Sequence, residues 1–213
     1  MALKDLLTGY GASVFECPKE IAGTYKGKKL AICGDASCVW DDLEKLGCRY
    51  DHGRGGVASI EFDFMTVNKL VETFPGNIEH CYSNEPNLLK KFIAARRSEY
   101  TREFKGPVHI HSCSEGAQWR WPWGGHGTSG LGATLVGLGL GYDRIVLCGM
   151  PLDNGAHNGE PSWRRCVFET SEAAGPKNFP TTPNMHWKRA MELAFEGRVK
   201  SMSGRTKLWL GQP

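Results

Sequence analysis

The run GTSGLGATLVGLGLGYDRIVLCGMPLD, Gly127 to Asp153, constrains the fold more than any other part of the chain, because it joins a helix start built for anions to a buried strand. Thr128 and Ser129 can cap the helix with their hydroxyls, and Gly130 allows close approach to the free N–H groups of the first turn. From Leu131, apolar residues recur at Leu135 and Leu138, while Gly132, Ala133, Gly137 and Gly139 leave a smooth surface able to lie flat on a sheet. Gly141 ends the helix. Ile145 to Cys148 is all-apolar, as a parallel strand buried on both faces requires, and Gly149 to Asp153 leaves it at the carboxyl edge, where open α/β sheets hold ligands. The pattern is that of a nucleotide site. The alternative is a packing helix whose glycines serve only close contact.

The flanking sequence repeats the alternation of strand and helix. Leu30 to Cys33 reads as a strand that turns at Gly34 into a helix with apolar Val39, Leu43 and Leu46, capped by Asp35 or Ser37, with Asp41 and Asp42 favouring its first turn. Arg49 to Ala58 is polar and Gly-rich and reads as a loop. A strand or turn around Ile60 to Met65 leads to Asn68 and a short helix that Pro75 and Gly76 end. Asn77 to Ser83 can form a strand, followed by a helix with Asn84 as N-cap, Pro86 in its first turn, and Leu88, Leu89, Phe92 and Ile93 on one face. VHIHSC is a further strand. The chain closes with a helix from about Met185 and a terminal strand, Thr206 to Leu210. The expected architecture is α/β, a Rossmann-like and mostly parallel sheet with helices on both faces. Residues 1–213 form a single domain in this reading, with a lead-in over 1–28 and a polar insertion over about 154–184.

Composition narrows the function classes. The 213 residues, 40% apolar and 23% charged, suit one soluble domain, and no stretch has the roughly 18 uninterrupted apolar residues of a membrane span. The first residues lack the pattern of a signal peptide, so a cytoplasmic location is expected. A net charge of +3 does not by itself indicate nucleic acid, and Lys90, Lys91, Arg96 and Arg97 read as a solvated helix face. Among the eight cysteines, Cys33, Cys81, Cys113 and Cys148 fall in or beside strands, where a reduced thiol acts as a small core residue.

Asp35, Asn68, Asn84 and the Thr128-Ser129-Gly130 turn all stand after strands or at helix starts. In a parallel sheet those junctions share one edge and could converge on a ribose, base and phosphate; singly, each is equally a cap or turn residue. His186 is a candidate base, because a helix capped by Asn184 with the buried stripe Trp187, Ala190, Met191, Ala194 and Phe195 leaves it in the exposed first turn, where imidazolium is disfavoured. A surface histidine without a role is the alternative. His109, His111 and Cys113 alternate onto one strand face with His126 near, but the spacing is not that of a usual zinc site, and no metal is expected. WRWPW could stack on a base, sugar or partner, or pack on the core.

In order and spacing these segments resemble the bacterial sialyltransferases that use CMP-sialic acid, a Rossmann-like variant of the GT-A group, and the related DUF115 group. KLAICGDASCVWDDLEKL resembles the family's first strand and Gly-Asn-Gly-Pro-Ser turn, TVNKL its Arg-Cys-Asn segment, CYSNEPNLL its Tyr-Asn-Pro segment, and TSG with LGYDRIVLCGMPLD its Thr-Ser-Gly helix and following strand. The resemblance implies that Gly34, Asp35, Asn68, Asn84, Thr128, Ser129 and Gly130 hold a nucleotide-sugar donor, and that His186 deprotonates an acceptor hydroxyl in an inverting displacement without a tightly bound cofactor. Asp35 stands where the family has Asn beside the phosphates. The family's leaving-group tyrosines are replaced by Asp153 and Asn154, and His157, Arg164 or Arg165 would supply a donor in their place. The acceptor is left open. The rivals are diphosphoryl transfer of the DUF115 type, which would need Mg²⁺, and a non-catalytic nucleotide-binding or assembly module; a homo-oligomer is compatible with each.

Overall fold

A computed structural model describes residues 17–51, 56–100, 106–122, 128–152 and 181–213. In chain order these form β1 (Lys29–Cys33), α1 (Val39–Lys45), β2 (Arg49–Asp51), β3 (Gly56–Ala58), β4 (Phe62–Val67), α2 (Leu70–Thr73), β5 (His80–Tyr82) and α3 (Pro86–Tyr100). They continue with β6 (His109–Ser112), β7 (Trp119–Arg120), α4 (Ser129–Leu140), β8 (Arg144–Cys148) and α5 (Thr181–Ala190). A π-helical turn (Met191–Phe195), β9 (Val199–Ser201) and α6 (Gly204–Leu210) complete the order.

Seven strands pair in the order β7-β6-β5-β4-β1-β8-β9, and every pairing is parallel. From β1 the chain winds outward through β4 to β7 and then returns past β1 to β8, so the winding direction reverses between β1 and β8. At such a switch point the neighbouring loops part and leave a crevice at the carboxyl edge. Leu30 and Ile32 of β1 enter a core with α4 and α5, whereas Ala31 and Cys33 enter a second core with α1 and α2. Helices on both faces explain why the central strands are apolar without alternation.

The α4 glycines serve the packing expected of them. A Cβ on Gly137 would lie 2.9 Å from both Leu30 Cδ2 and Ile145 Cδ1, so only glycine lets α4 approach β1 and β8 this closely. Gly141 ends α4 at φ 95°, in the left-handed region where glycine carries no side-chain penalty.

Four expectations need correction. Residues 204–210 form a helix, and the final strand is Val199–Ser201; Arg205 N–H donates to the Pro151 carbonyl (2.8 Å) and Thr206 Oγ1 to the Met150 carbonyl (2.8 Å), so tertiary contacts hold this segment against the β8 exit. Arg49 to Ala58 is more than a loop, because β2 and β3 pair antiparallel within it. Arg96 is buried, not solvated: its guanidinium donates to the carbonyls of Val71, Phe74 and Gly76, which the end of α2 and the Pro75-Gly76 turn leave without helical donors. Cys38 occupies the N-cap position of α1 without a side-chain cap bond, so neither Asp35 nor Ser37 caps it; the turn is held by Ala36 N–H to the Gly149 carbonyl (3.2 Å). Among the described residues no helix is long and apolar enough to cross a membrane.

Candidate functional site

Because the seven strands run parallel, Gly34 and Asp35 after β1, Asn68 after β4, Asn84 after β5 and Gly149 after β8 all stand at one edge of the sheet. Helix α4 starts at that same edge. Thr128 is its N-cap, with extended backbone and Oγ1 accepting from Leu131 N–H at 3.3 Å, as its hydroxyl and position predict. Thr128 and Ser129 are half-buried and Gly130 is buried. A Cβ on Gly130 would meet Met150 Sδ at 2.7 Å, and one on Gly34 would be closer still to the Met150 side chain. The two glycine turns therefore close on either side of Met150, at the β1/β8 switch.

Two positions to which the sequence gives no role at the site hold this edge together. Asp42 is buried in the first turn of α1 and accepts from Gly149 N–H (2.8 Å) and Ser203 Oγ (2.7 Å), tying the β8 exit to α1 and to the α6 start. Its signal was present, since Asp42 shares a helix face with Val39 and Leu43, where a carboxylate must find buried donors. Tyr82 is the other. Its carbonyl accepts from Asn68 N–H (3.0 Å), its hydroxyl donates to Asn84 Oδ1 (2.8 Å), and its ring and hydroxyl fill the space where a Cβ on Gly132 would stand. Asn68 is exposed, with φ 53°. Asn84 is not the N-cap of α3, because the helix begins at Pro86; Ser83 Oγ accepts from Glu85 N–H at 3.0 Å instead, leaving the Asn84 side chain to Tyr82.

His186 lies in the middle of α5, not in a first turn. The helix starts at Thr181, so Asn184 is a helical residue and cannot cap it, and the terminal dipole that would favour a neutral ring is a turn away. The neighbouring Trp187 fixes the helix in place. It is fully buried, packs edge-on against Phe195 and donates from Nε1 to Thr128 Oγ1 at 3.2 Å, which sets the helix carrying His186 against the start of α4. Ala190, Ala194 and Phe195 complete the expected stripe, with Met191 only partly buried. Asp153, His157, Arg164, Arg165, His126 and Trp123 lie outside the described residues, whereas Trp119 and Trp121 of WRWPW lie within them and pack on the core.

The HxHxC run is divided. His109 and His111 do share a face, but Cys113 lies past the end of β6, half-buried, with its thiol 3.6 Å from Asn84 Oδ1. Trp121 Nε1–H donates to His111 Nδ1 (2.9 Å), so a neutral His111 carries its proton on Nε2 and donates to His80 Nδ1 (3.0 Å). His80 Nε2–H then donates to Tyr142 Oη (2.9 Å), which donates to Asp63 Oδ2 (2.8 Å). This chain crosses β6, β5 and β4 and fixes both tautomers. Trp119 Nε1–H donates to His109 Nδ1 at 3.2 Å. Among the described residues no group of three or more His, Cys, Asp and Glu is arranged to hold a metal ion.

Burial, together with the neighbouring His109 ring, pushes His111 down to about 3, and burial beside His111 and His109 also lowers His80. A histidine whose folded pKa is depressed stabilises fully above its unfolded value near 6.5 and loses that contribution as pH falls toward its folded value. His111 alone is expected to remove about 2 kcal/mol of stability between pH 7.5 and 5, with His80 acting in the same direction. Urea unfolding at the two pH values measures this. In His111→Asn, which cannot titrate, that part of the pH dependence should vanish; an unchanged dependence would contradict the assignment.

A parallel sheet with helices on both faces and a helix start at its switch point defines the broad class of Rossmann-like α/β folds. More particularly, the chain is similar to the monofunctional α-2,3-sialyltransferase Cst-I from Campylobacter jejuni, with a TM-score of 0.52 and 11% identity over 95% of this chain and 83% of that one. It is also similar to sialyltransferase CstII from the same organism, in complex with the substrate analogue CMP-3FNeuAc. There the TM-score is 0.50 and the identity 14%, over 85% of this chain and 83% of that one. The shared property is the fold. No family model matches the chain, and no curated protein matches its sequence.

Proposed function

We propose that the protein is a glycosyltransferase-like enzyme that binds a nucleotide-sugar donor at the carboxyl edge of the sheet and transfers the sugar to an acceptor hydroxyl. The observation that carries this is the capped, half-buried start of α4 standing at the β1/β8 switch beside Gly34, in a fold shared with an enzyme whose structure holds a CMP-sugar analogue. Free N–H groups at a helix start suit phosphate oxygens, and charge developing on a leaving phosphate during displacement would be stabilised there. In this reading Gly34, Asp35, Asn68, Asn84, Thr128, Ser129 and Gly130 bind the nucleotide. His186 removes the acceptor's proton as its oxygen attacks the anomeric carbon, the phosphate leaves from the opposite face, and the configuration inverts. No metal ion is required, and His157, Arg164 or Arg165 would assist the leaving group while Asp153 contacts the acceptor.

Asp35 favours a second reading. A half-buried carboxylate directly after β1, where phosphates are expected, repels a bare phosphate and would accommodate one bridged by Mg²⁺, as diphosphoryl transfer demands. A thermal-shift series with CMP, UDP, GDP and ATP, with and without Mg²⁺, separates the readings, since a ligand at about 100 times its Kd stabilises by roughly 2.7 kcal/mol. Stabilisation by CMP that EDTA leaves intact is the expected result. Stabilisation by ATP only with Mg²⁺ would favour diphosphoryl transfer, and no response to any nucleotide would contradict both.

A further inference from the structure

Asn84 is held from three directions. Tyr82 Oη donates to Oδ1 at 2.8 Å, the Cys113 thiol approaches the same oxygen at 3.6 Å, and Ser114 Oγ donates to the Asn84 backbone carbonyl at 3.0 Å. Turning the amide over would deprive the buried Tyr82 hydroxyl of its carboxamide acceptor and leave its proton only the Cys113 sulfur, a much weaker one. Burial raises the Tyr82 pKa well above its ordinary value, so the phenol stays protonated and remains a donor. Gly132 makes the arrangement possible, because any Cβ there would occupy the space of the Tyr82 hydroxyl. The first turns of α4 and the end of β5 therefore determine together which way the Asn84 amide faces. No described residue takes a hydrogen bond from Nδ2.

We propose that Tyr82 is a positioning residue that fixes the Asn84 amide with Nδ2 presented at the sheet edge, so that this corner selects a hydrogen-bond acceptor on the ligand, such as a hydroxyl, carbonyl or phosphate oxygen, and rejects a donor. The ligand half of the statement rests on the nucleotide reading above; the lock on the amide does not. Tyr82 does not touch the ligand in this scheme. Its effect passes through Asn84.

Two measurements on the full chain separate these parts. In the ligand-free protein, ¹⁵N relaxation of the Asn84 side-chain NH₂ should report a rigid amide that becomes mobile in Tyr82→Phe, a change that keeps the ring. By calorimetry with CMP as probe, Tyr82→Phe should weaken binding about tenfold, the effect of losing one oriented hydrogen bond. Asn84→Asp keeps the acceptor for Tyr82 but exchanges the outward donor for an acceptor, and should weaken CMP at least as much. In an Asn84→Ala background, Tyr82→Phe should have no further effect, whereas a merely structural tyrosine would weaken binding by the same factor in both backgrounds. An amide equally rigid in Tyr82→Phe, or a tenfold loss that persists without Asn84, would overturn the proposal. If the parent protein does not bind CMP, the nucleotide reading fails and with it the ligand half; the NH₂ relaxation still decides the lock.

Discussion

His186→Ala is expected to lower transfer from a CMP-activated sugar by about 10²- to 10⁴-fold while leaving CMP affinity within about twofold of the parent, because a general base acts on the transition state and not on donor binding. The position supports this role through its neighbour: Trp187 bonds to Thr128 Oγ1 (3.2 Å), so the backbone at 186 is anchored beside the start of α4. The half-buried His186 contributes little to the core, and its replacement should change the unfolding free energy by less than about 1 kcal/mol. Turnover per active site, measured beside calorimetric CMP affinity, checks both halves. An alanine variant with parental turnover would remove His186 from the mechanism.

Trp187→Ala should behave in the opposite way. A fully buried tryptophan that packs on Phe195 and donates to the N-cap hydroxyl of α4 leaves both a cavity and a weakened cap when removed, at a combined cost of about 3–5 kcal/mol. CMP affinity should fall as well, since Thr128 loses one of the two groups that orient its hydroxyl. Urea unfolding measures the first effect. A loss below about 1 kcal/mol would mean that α5 is not anchored through this residue.

What the sequence disclosed follows from how local each signal is. The α4–β8 block was legible because cap, glycine spacing, stop glycine and apolar strand are consecutive, and the structure places Thr128, Gly137 and Gly141 in those roles. The carboxyl-edge grouping was legible because parallel topology puts every strand-to-helix junction on one side. The hydrogen-bond chain was not. Period-two alternation places His109 and His111 on one face, but only the register His80↔His109 brings in a third imidazole from far earlier in the chain. Arg96 reads as solvated and Asp42 as serving a helix dipole, because the partners of Arg96 are backbone carbonyls, which carry no identity in a sequence, and those of Asp42, Gly149 N–H and Ser203 Oγ, lie more than a hundred residues away. Asn184 reads as a good cap and so places His186 in a first turn, whereas the helix already begins at Thr181. Thr206 to Leu210 reads as a strand by residue type, but the edge position beside β8 is taken by Val199–Ser201.

The central claim is that nucleotide binds at the start of α4. Isothermal titration of CMP into the parent and into Ser129→Trp tests it most directly, because Ser129 is half-buried in the first turn and an indole there fills the anion site without entering the core. Saturable one-to-one binding by the parent, absent in a variant that unfolds at the same urea concentration, is the predicted result; equal CMP affinity in the two proteins would contradict it.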